Sequence, residues 1–186
     1  MTIYLIRHGK TLANEQHLYC GSTDLPLSDT GKKELAQIHY PIPGNFRFIS
    51  SGMQRANETL EILFPDRDYE IMPGFREVDF GRFEMKNYDQ LKDDASYQDW
   101  ISGDNEANVP PDGESGLQMT HRAISAFLRV VYEGMDAVIV THGGIIAALM
   151  SRLFPKEEKN RYQWQSANGG GYQITIKNGK YTYSAL

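Results

Sequence analysis

The sequence predicts an α/β fold, a three-layer α/β/α sandwich around a mostly parallel central sheet. Short runs of β-branched and aromatic residues alternate along the chain with segments of helical character, as in folds whose strands are joined by helical crossovers. The 186 residues are enough for one domain with a substantial core. We therefore expect a single domain over residues 1–186, with a small cap inserted at about 80–115.

The strands and helices in the first half of the chain are predicted from apolar runs and from the residues that interrupt them. Residues 2–7 form a short buried strand, and a loop through Pro26 follows. Ser28 or Thr30 can cap the next helix. The remaining elements in this half are a helix at about 31–39, a strand at 46–50, a helix at about 53–63 that is stopped by Pro65, and a short strand at about 69–72.

The second half begins with a polar segment. Residues 85–115 are interrupted by Pro110, Pro111 and Gly113, which predicts one or two short helices that cover a pocket. The elements after it are a helix at about 115–134, a strand at 137–141, a helix at about 144–153, and a hairpin of strands 172–177 and 181–183 joined by Asn178-Gly179.

Three predicted strand ends carry cationic or imidazole side chains. Arg7 and His8 end the first strand, Arg55 lies in the first turn of the helix after the second, and His142 ends strand 137–141. If these strands are parallel neighbours, the four side chains meet at the sheet edge where open α/β folds bind ligands. Gly143-Gly144 then opens a helix whose amino terminus attracts anions.

This set of side chains suits a tetrahedral dianion. Guanidinium groups match phosphate geometry, and no carboxylate or Cys accompanies the histidines at metal-ligand spacing. We therefore expect no metal ion. The alternative is that these residues are ordinary polar groups at strand ends. That explanation is less convincing for three strand-to-helix junctions together than for a single one.

Several motifs resemble those of the histidine phosphatase superfamily, also called phosphoglycerate mutase-like, in the same order. They are Leu5-Ile6-Arg7-His8-Gly9-Lys10-Thr11 with Asn14, Leu27-Ser28-Asp29-Thr30-Gly31, Ser50-Ser51-Gly52-Met53-Gln54-Arg55-Ala56 with Thr59, Phe75-Arg76-Glu77 with Phe80-Gly81-Arg82-Phe83-Glu84, Asp112-Gly113-Glu114-Ser115, and Thr141-His142-Gly143-Gly144. The family usually has Glu or Gln where this chain has Lys10, a change that bears on substrate preference more than on chemistry.

The resemblance implies a role for each matching residue. His8 would be the nucleophile that carries a transient phosphohistidine, and Glu77 would protonate the leaving group. The phosphoryl oxygens would be bound by Arg7, Arg55 and His142, assisted by Asn14 and the Gly143 backbone. Candidates for substrate contact in the loop after the first motif are Cys20, Gly21, Ser22 and Thr23. Phosphoryl transfer of this kind needs positioning and cationic groups, so we expect neither metal nor cofactor.

The resemblance also bears on the reaction. Mutases of this family are usually longer and have Tyr-Gly where this chain has Phe80-Gly81, so we expect a phosphatase of small phosphomonoesters. Its length and this motif resemble α-ribazole-5′-phosphate phosphatases and broad-specificity sugar-phosphate phosphatases. The alternatives are phosphoryl transfer of the phosphoglycerate mutase type and a non-catalytic module that binds a phosphorylated ligand.

For the other aromatic and histidine residues we favour structural roles. Tyr88, Tyr97 and Trp100 in the cap either fill its own small core, which we favour, or stack on a flat base. The remaining histidines are expected to be surface or structural residues; they are His17, His39 and His121.

Composition favours a cytoplasmic enzyme with a small phosphorylated substrate. No apolar run approaches the ~20 residues that span a membrane, and no signal peptide begins the chain. The single Cys20 fits a reducing compartment. A net charge of −5 argues against nucleic acid as a partner. We expect a monomer or a homodimer.

Overall fold

The computed structural model describes residues 1–103 and 106–186. A six-stranded sheet has the order β3-β2-β4-β1-β5-β6. Neighbours among the first four strands are parallel, and β5 and β6 are antiparallel additions. The strands are β1 (Thr2–Arg7), β2 (Arg47–Ser50), β3 (Glu70–Ile71), β4 (Ala137–Thr141), β5 (Gly171–Lys177) and β6 (Lys180–Ala185).

Helices connect and cover these strands. They are α1 (Leu12–Glu15), α2 (Asp29–Leu35), α3 (Gln54–Leu63), α4 (Tyr88–Leu91), α5 (Ala95–Ile101), α6 (Gly116–Glu133), α7 (Gly143–Leu153) and α8 (Arg161–Trp164), with 3₁₀ turns at Pro73–Phe75, Gly81–Phe83 and Pro155–Glu157. In the described part of the chain, no helix is both long and apolar enough to cross a membrane.

Alternate residues of the central strands face two separate cores. On β4, Ala137 and Ile139 pack with α6 and α7, whereas Val138 and Val140 pack with α3. All five residues of β4 are buried, as expected for a strand covered on both faces. The predicted sandwich and mostly parallel sheet are confirmed.

The strand order brings three carboxyl ends together. Strand β4 lies between β1 and β2, and its Thr141 and Val140 are in register with Arg7 and Ser50. The loops after these strands therefore leave the sheet side by side, as the sequence predicted.

A third cluster of side chains lies within the predicted cap, apart from the two cores on the sheet. Phe83, Leu91 and Tyr97 are buried in it, and Trp100 packs against them. Tyr88 is 58% exposed and contacts the edge of the Tyr97 ring. The core interpretation is therefore correct for Tyr97 and Trp100, and Tyr88 covers the cluster from outside.

The structure corrects several predicted boundaries. Helix α2 is capped by Ser28, as expected, but it ends at Leu35 and not near residue 39. Residues 36–37 form a turn, and Pro41 disfavours a helical conformation at Tyr40. The two helices missed by the prediction, α1 and α8, have four residues each and start from capping boxes at Thr11 and Asn160.

The hairpin turn and the surface histidines agree with expectation. Asn178 and Gly179 both have positive φ, as a two-residue turn of this type requires. His17, His39 and His121 are exposed.

Candidate active site

His8 lies buried at the end of β1, and one of its ring nitrogens forms a hydrogen bond. Its Nδ1 is 2.6 Å from the Gly9 carbonyl oxygen, and because a carbonyl can only accept, Nδ1 must carry the proton. The lone pair of the neutral ring is then on Nε2. Burial, followed by the charges of Arg55 and Arg7, lowers the pKa of His8 well below its usual 6.5, so the ring is neutral near pH 7.

His142 lies beside His8, with 5.1 Å between the ring centroids. Its Nδ1 accepts a hydrogen bond of 3.2 Å from Arg55 Nε. The proton of the neutral ring is therefore on Nε2, which lies 2.8 Å from Ser51 Oγ. Burial, and then the Arg55 charge, lowers the pKa of His142 well below 6.5.

Arg55, in the first turn of α3, is 1% exposed and has protein acceptors on all three nitrogens. Besides His142, it donates to the carbonyls of Gly21 at 2.8 Å and Thr23 at 2.9 Å. A guanidinium has five N–H donors, so two remain. Arg55 therefore supports the loop at 20–23 while it lies beside the two imidazoles.

Arg7 has a donor without an acceptor. Its Nη1 donates to the Ser166 carbonyl at 2.7 Å, but its buried Nε has no partner among the described residues. Burial lowers the pKa of Arg7, an effect partly offset by Glu77. A side chain at Gly143 would lie 3.2 Å from this guanidinium, so Arg7 borders the amino terminus of α7. A buried N–H of this kind marks a place where an acceptor is missing.

Glu77 lies at the same helix terminus. Its carboxylate accepts from the Gly144 amide at 2.8 Å and from its neighbour Val78 at 3.0 Å. A Cβ at position 144 would come within 2.4 Å of Glu77 Oε1, so only glycine allows this contact. Glu77 and Arg7 thus share the positive end of α7.

The loop at 20–23 is held from two sides. Arg55 binds its carbonyls, and the carboxylate of Glu84 accepts from the backbone amides of Gly21, Ser22 and Thr23 at 2.9–3.2 Å. Ser22 Oγ donates to Asp79. Burial raises the pKa of the Cys20 thiol, whose Sγ lies 3.6 Å from the Thr23 carbonyl. Of the four loop candidates, Gly21 and Thr23 reach Arg55 through their backbone.

Asn14 is linked to His8 through Asn168. The Asn168 amide donates to the His8 carbonyl at 2.9 Å and lies 3.5 Å from Asn14 Oδ1. Asn14 Oδ1 also caps α1 by accepting from Thr11, which leaves its NH₂ group to donate. Lys10 pairs with Glu34 at 2.7 Å, so a surface carboxylate partly neutralises its charge.

Sequence reasoning missed four residues that hold this site: Ser51, Glu84, Arg122 and Asn168. Arg122 had a readable signal, because it follows Met119 by three positions and precedes Ala123, both on the buried face of α6. A charged residue beside such a face usually has a specific partner. The others contact the site only through tertiary structure.

Glu77 lines a cavity of about 400 Å³ together with Ser22, Asp79 and Arg122. A separate cleft of about 140 Å³ lies near the residues that follow Glu77 in the chain. Val78 and Phe80 line it just after Glu77, and Gln165 lines it just before Ser166, which holds Arg7. Tyr19, Trp100 and Tyr162 supply aromatic walls. Glu77 does not line this cleft, which is smaller than the ~300 Å³ at which sites for whole organic ligands begin. The cavity that Glu77 lines is within that range.

Comparisons with known proteins agree on one family. The family model of the histidine phosphatase superfamily, branch 1, matches residues 3–186. The adenosylcobalamin/alpha-ribazole phosphatase of Salmonella typhimurium is 30% identical, over 100% of this chain and 96% of that protein. A probable phosphoglycerate mutase GpmB from Escherichia fergusonii is 28% identical, over 82% and 74%. The structure of a putative alpha-ribazole-5′-P phosphatase from Escherichia coli superposes with a TM-score of 0.87 at 26% identity, covering 100% and 95%.

Proposed function

The chain belongs to the histidine phosphatase superfamily, branch 1, and we propose that it hydrolyses small phosphomonoesters through a phosphohistidine on His8. One observation carries the nucleophile assignment. The Gly9 carbonyl accepts a hydrogen bond from the protonated Nδ1 of His8, and the lowered pKa keeps the ring neutral, so Nε2 offers a lone pair in a cationic pocket. The partnerless Nε of Arg7 supports an oxyanion as the ligand.

The first step transfers the phosphoryl group. His8 Nε2 attacks phosphorus, the bond from phosphorus to the ester oxygen breaks, and that oxygen keeps the electron pair. Glu77 gives it a proton, because an alkoxide is a poor leaving group. Arg7, Arg55, His142, Asn14 and the Gly143 amide stabilise the charge on the transferring group.

The second step releases phosphate. Water attacks phosphorus while the Glu77 carboxylate takes its proton, and the phosphorus–nitrogen bond breaks to restore neutral His8. Capture on an imidazole thereby divides one difficult hydrolysis into two easier transfers. Because both the nucleophile and the acid are present, we favour catalysis over a module that only binds a phosphorylated ligand.

The names of relatives and the cavity at Glu77 support a preference among substrates. This cavity of about 400 Å³ has room for the leaving group that Glu77 would protonate. We propose α-ribazole-5′-phosphate, the substrate type in the relatives' names, ahead of sugar phosphates. Residues 80–115 would act as the cap over this leaving group.

Hydrolysis is favoured over a mutase reaction. The mutase-named relative extends well beyond the match, which covers 74% of it, and this chain has Phe80 where mutases have Tyr. We further propose a cytoplasmic enzyme, monomeric or homodimeric, without a metal or cofactor.

Trapping the intermediate tests the nucleophile. The wild type, quenched without acid after mixing with ³²P-labelled substrate, should carry an acid-labile, base-stable adduct, and His8→Ala should carry none. His8→Ala should also lose several orders of magnitude in kcat while it stays folded, with exposed His121→Ala as the matched control. An acid-stable phosphoester on Ser or Thr would show that His8 is not the nucleophile.

A turnover screen tests the substrate. We expect kcat/KM to be highest for α-ribazole-5′-phosphate, lower for sugar phosphates, and unchanged in excess EDTA. Conversion of 3-phosphoglycerate to its isomer, faster than release of phosphate, would favour the mutase alternative. Activity that is lost in chelator and restored by Mg²⁺ or Zn²⁺ would contradict the metal-independent mechanism.

A further inference from the structure

The segment that carries Glu77 has no regular secondary structure of its own. It consists of the 3₁₀ turn Pro73–Phe75, followed by Arg76 in an extended conformation. Such a segment has carbonyl groups that no helix or strand satisfies. Its position, and with it the position of the acid, must come from contacts with neighbouring elements.

One guanidinium on α6 supplies three of these contacts. Arg122 donates to the carbonyls of Gly74 at 3.1 Å, Arg76 at 2.5 Å and Glu77 itself at 2.9 Å. A Cβ at Gly74 would meet Ala126 at 2.7 Å, so the segment also lies directly on the surface of α6. The backbone of the acid is therefore fixed to this helix.

Glu114 fixes the guanidinium in turn. Arg122 Nε and Nη2 donate to its two oxygens at 2.8 and 2.6 Å, a planar fork that sets the orientation of the group. Both side chains are less than one-third exposed, at 28% and 22%. Lysine could supply the charge at position 122 but not this fixed arrangement of donors.

The carboxyl end of Glu77 is held separately. Gly144 and Val78 amides bind the carboxylate, and Thr141 Oγ1 donates to the Phe75 carbonyl at 2.8 Å. Helix α7 and strand β4 thus place one side of the acid-bearing segment and α6 places the other. Displacement of the α6 side would move the carboxyl group relative to the ester oxygen.

We infer that Arg122, oriented by Glu114, is a positioning residue that sets the geometry of proton transfer by Glu77. This inference rests on the proposed role of Glu77 as the acid. Misplacement of a catalytic group by about 1 Å can cost roughly a hundredfold in rate. The loss should be greatest where the leaving group most needs a proton.

The test compares two leaving groups. Arg122→Lys and Glu114→Gln should lower kcat on β-glycerol phosphate by about tenfold or more and affect p-nitrophenyl phosphate much less, because phenolate needs less protonation. Inhibition by vanadate should change little, since the oxyanion site is intact. Arg129→Lys, on the same helix and paired with Glu133 at 3.2 Å, is the matched control and should match the wild type.

A double variant separates positioning from a general structural role. In Glu77→Gln, whose side chain cannot donate the proton in the same way, Arg122→Lys should add little further loss, because the two act on one step. Equal losses on both substrates, or losses that multiply in the double variant, would overturn the inference. Circular dichroism and thermal unfolding of each variant confirm folding, and Arg122→Lys retains the charge if Arg122→Ala fails to fold.

Failure of the underlying proposal has a different signature. If Glu77→Gln alone affects both substrates equally, Glu77 is not the general acid, and the inferred positioning role of Arg122 is then wrong as well. If Glu77→Gln is selective for the alkyl substrate but Arg122→Lys is not, Glu77 keeps its role and only the inference about Arg122 is wrong.

Discussion

At the scale of single residues, the site is governed by protons placed on particular nitrogen atoms. The Gly9 carbonyl and Arg55 Nε give the two histidines opposite tautomers: His8 has its free lone pair on Nε2, and His142 has its proton there. The Nε2 proton of His142 faces Ser51 Oγ, whereas Nε2 of His8 offers a lone pair, as the proposed nucleophile requires. This difference depends on neighbours, so motifs containing the same residue type could not reveal it.

The His8 environment predicts an unusual acid limit of activity. Because burial and the two guanidinium groups lower the pKa of His8 well below 6.5, its ring stays neutral as the pH falls through 6.5. We expect kcat/KM, corrected for ionisation of the substrate, to stay constant through pH 6.5 and to fall only at more acidic pH. A pH profile with its acid midpoint near 6.5 would contradict this.

At the scale of elements, the first turn of α7 serves two groups through adjacent glycines. Position 144 faces the Glu77 carboxylate and position 143 faces the Arg7 guanidinium. Alanine normally stabilises a helix relative to glycine by roughly 1 kcal/mol. Here the added methyl group would crowd the side chains of Glu77 and Arg7.

The two alanine variants should therefore impair different properties of the enzyme. Gly144→Ala should displace Glu77 and lower kcat on alkyl phosphates by about tenfold or more, with nearly unchanged inhibition by vanadate. Gly143→Ala should mainly weaken vanadate inhibition, because its contact with Arg7 at 3.2 Å is tight but less severe than the 2.4 Å contact at 144. Measurement of kcat, KM and the vanadate inhibition constant checks both; the same pattern in both variants would contradict the separation.

How far the sequence predicts elements depends on length and pattern. Strands β1, β2 and β4 and helices α3, α6 and α7 were predicted because each has a run of suitable residues between clear breaks. Helices α1 and α8 are too short for periodicity, and only their capping boxes distinguish them. For the site, residues at strand ends could be predicted from topology, whereas Asn168 acts through contacts between distant segments that no local pattern encodes. Arg122 beside the buried face of α6 and Glu84 within a family-like motif could be singled out, but the sequence does not show which groups they bind.

At the scale of the whole molecule, two buried neutral histidines link stability to pH. In the unfolded chain both would titrate near 6.5, whereas the folded state lowers the pKa of each. Their contribution to stability is complete above pH 6.5 and is lost as the pH falls from there through the folded-state values. The maximum slope is about 1.4 kcal/mol per pH unit for each histidine.

Removal of one of them should make the protein less sensitive to acid. The free energy of unfolding by urea should fall less between pH 7 and about pH 5.5 in His8→Gln than in the wild type. His121→Gln, at an exposed position, should show the wild-type decrease. Equal decreases in all three proteins would mean that His8 takes up a proton equally in the folded and unfolded states.

Strand β1 lies between β4 and β5, and the segment after α8 binds the end of β1: the Arg7 side chain and amide donate to the carbonyls of Ser166 and Gly170, and Asn168 donates to the carbonyl of His8. The end of β1 is thus bound by a segment far along the chain, with 159 positions between Arg7 and Ser166. The surroundings of Arg7 and His8 are complete only when this distant segment has docked. A chain that lacks the segment from Ser166 through β5 should therefore have an incomplete pocket and no phosphatase activity.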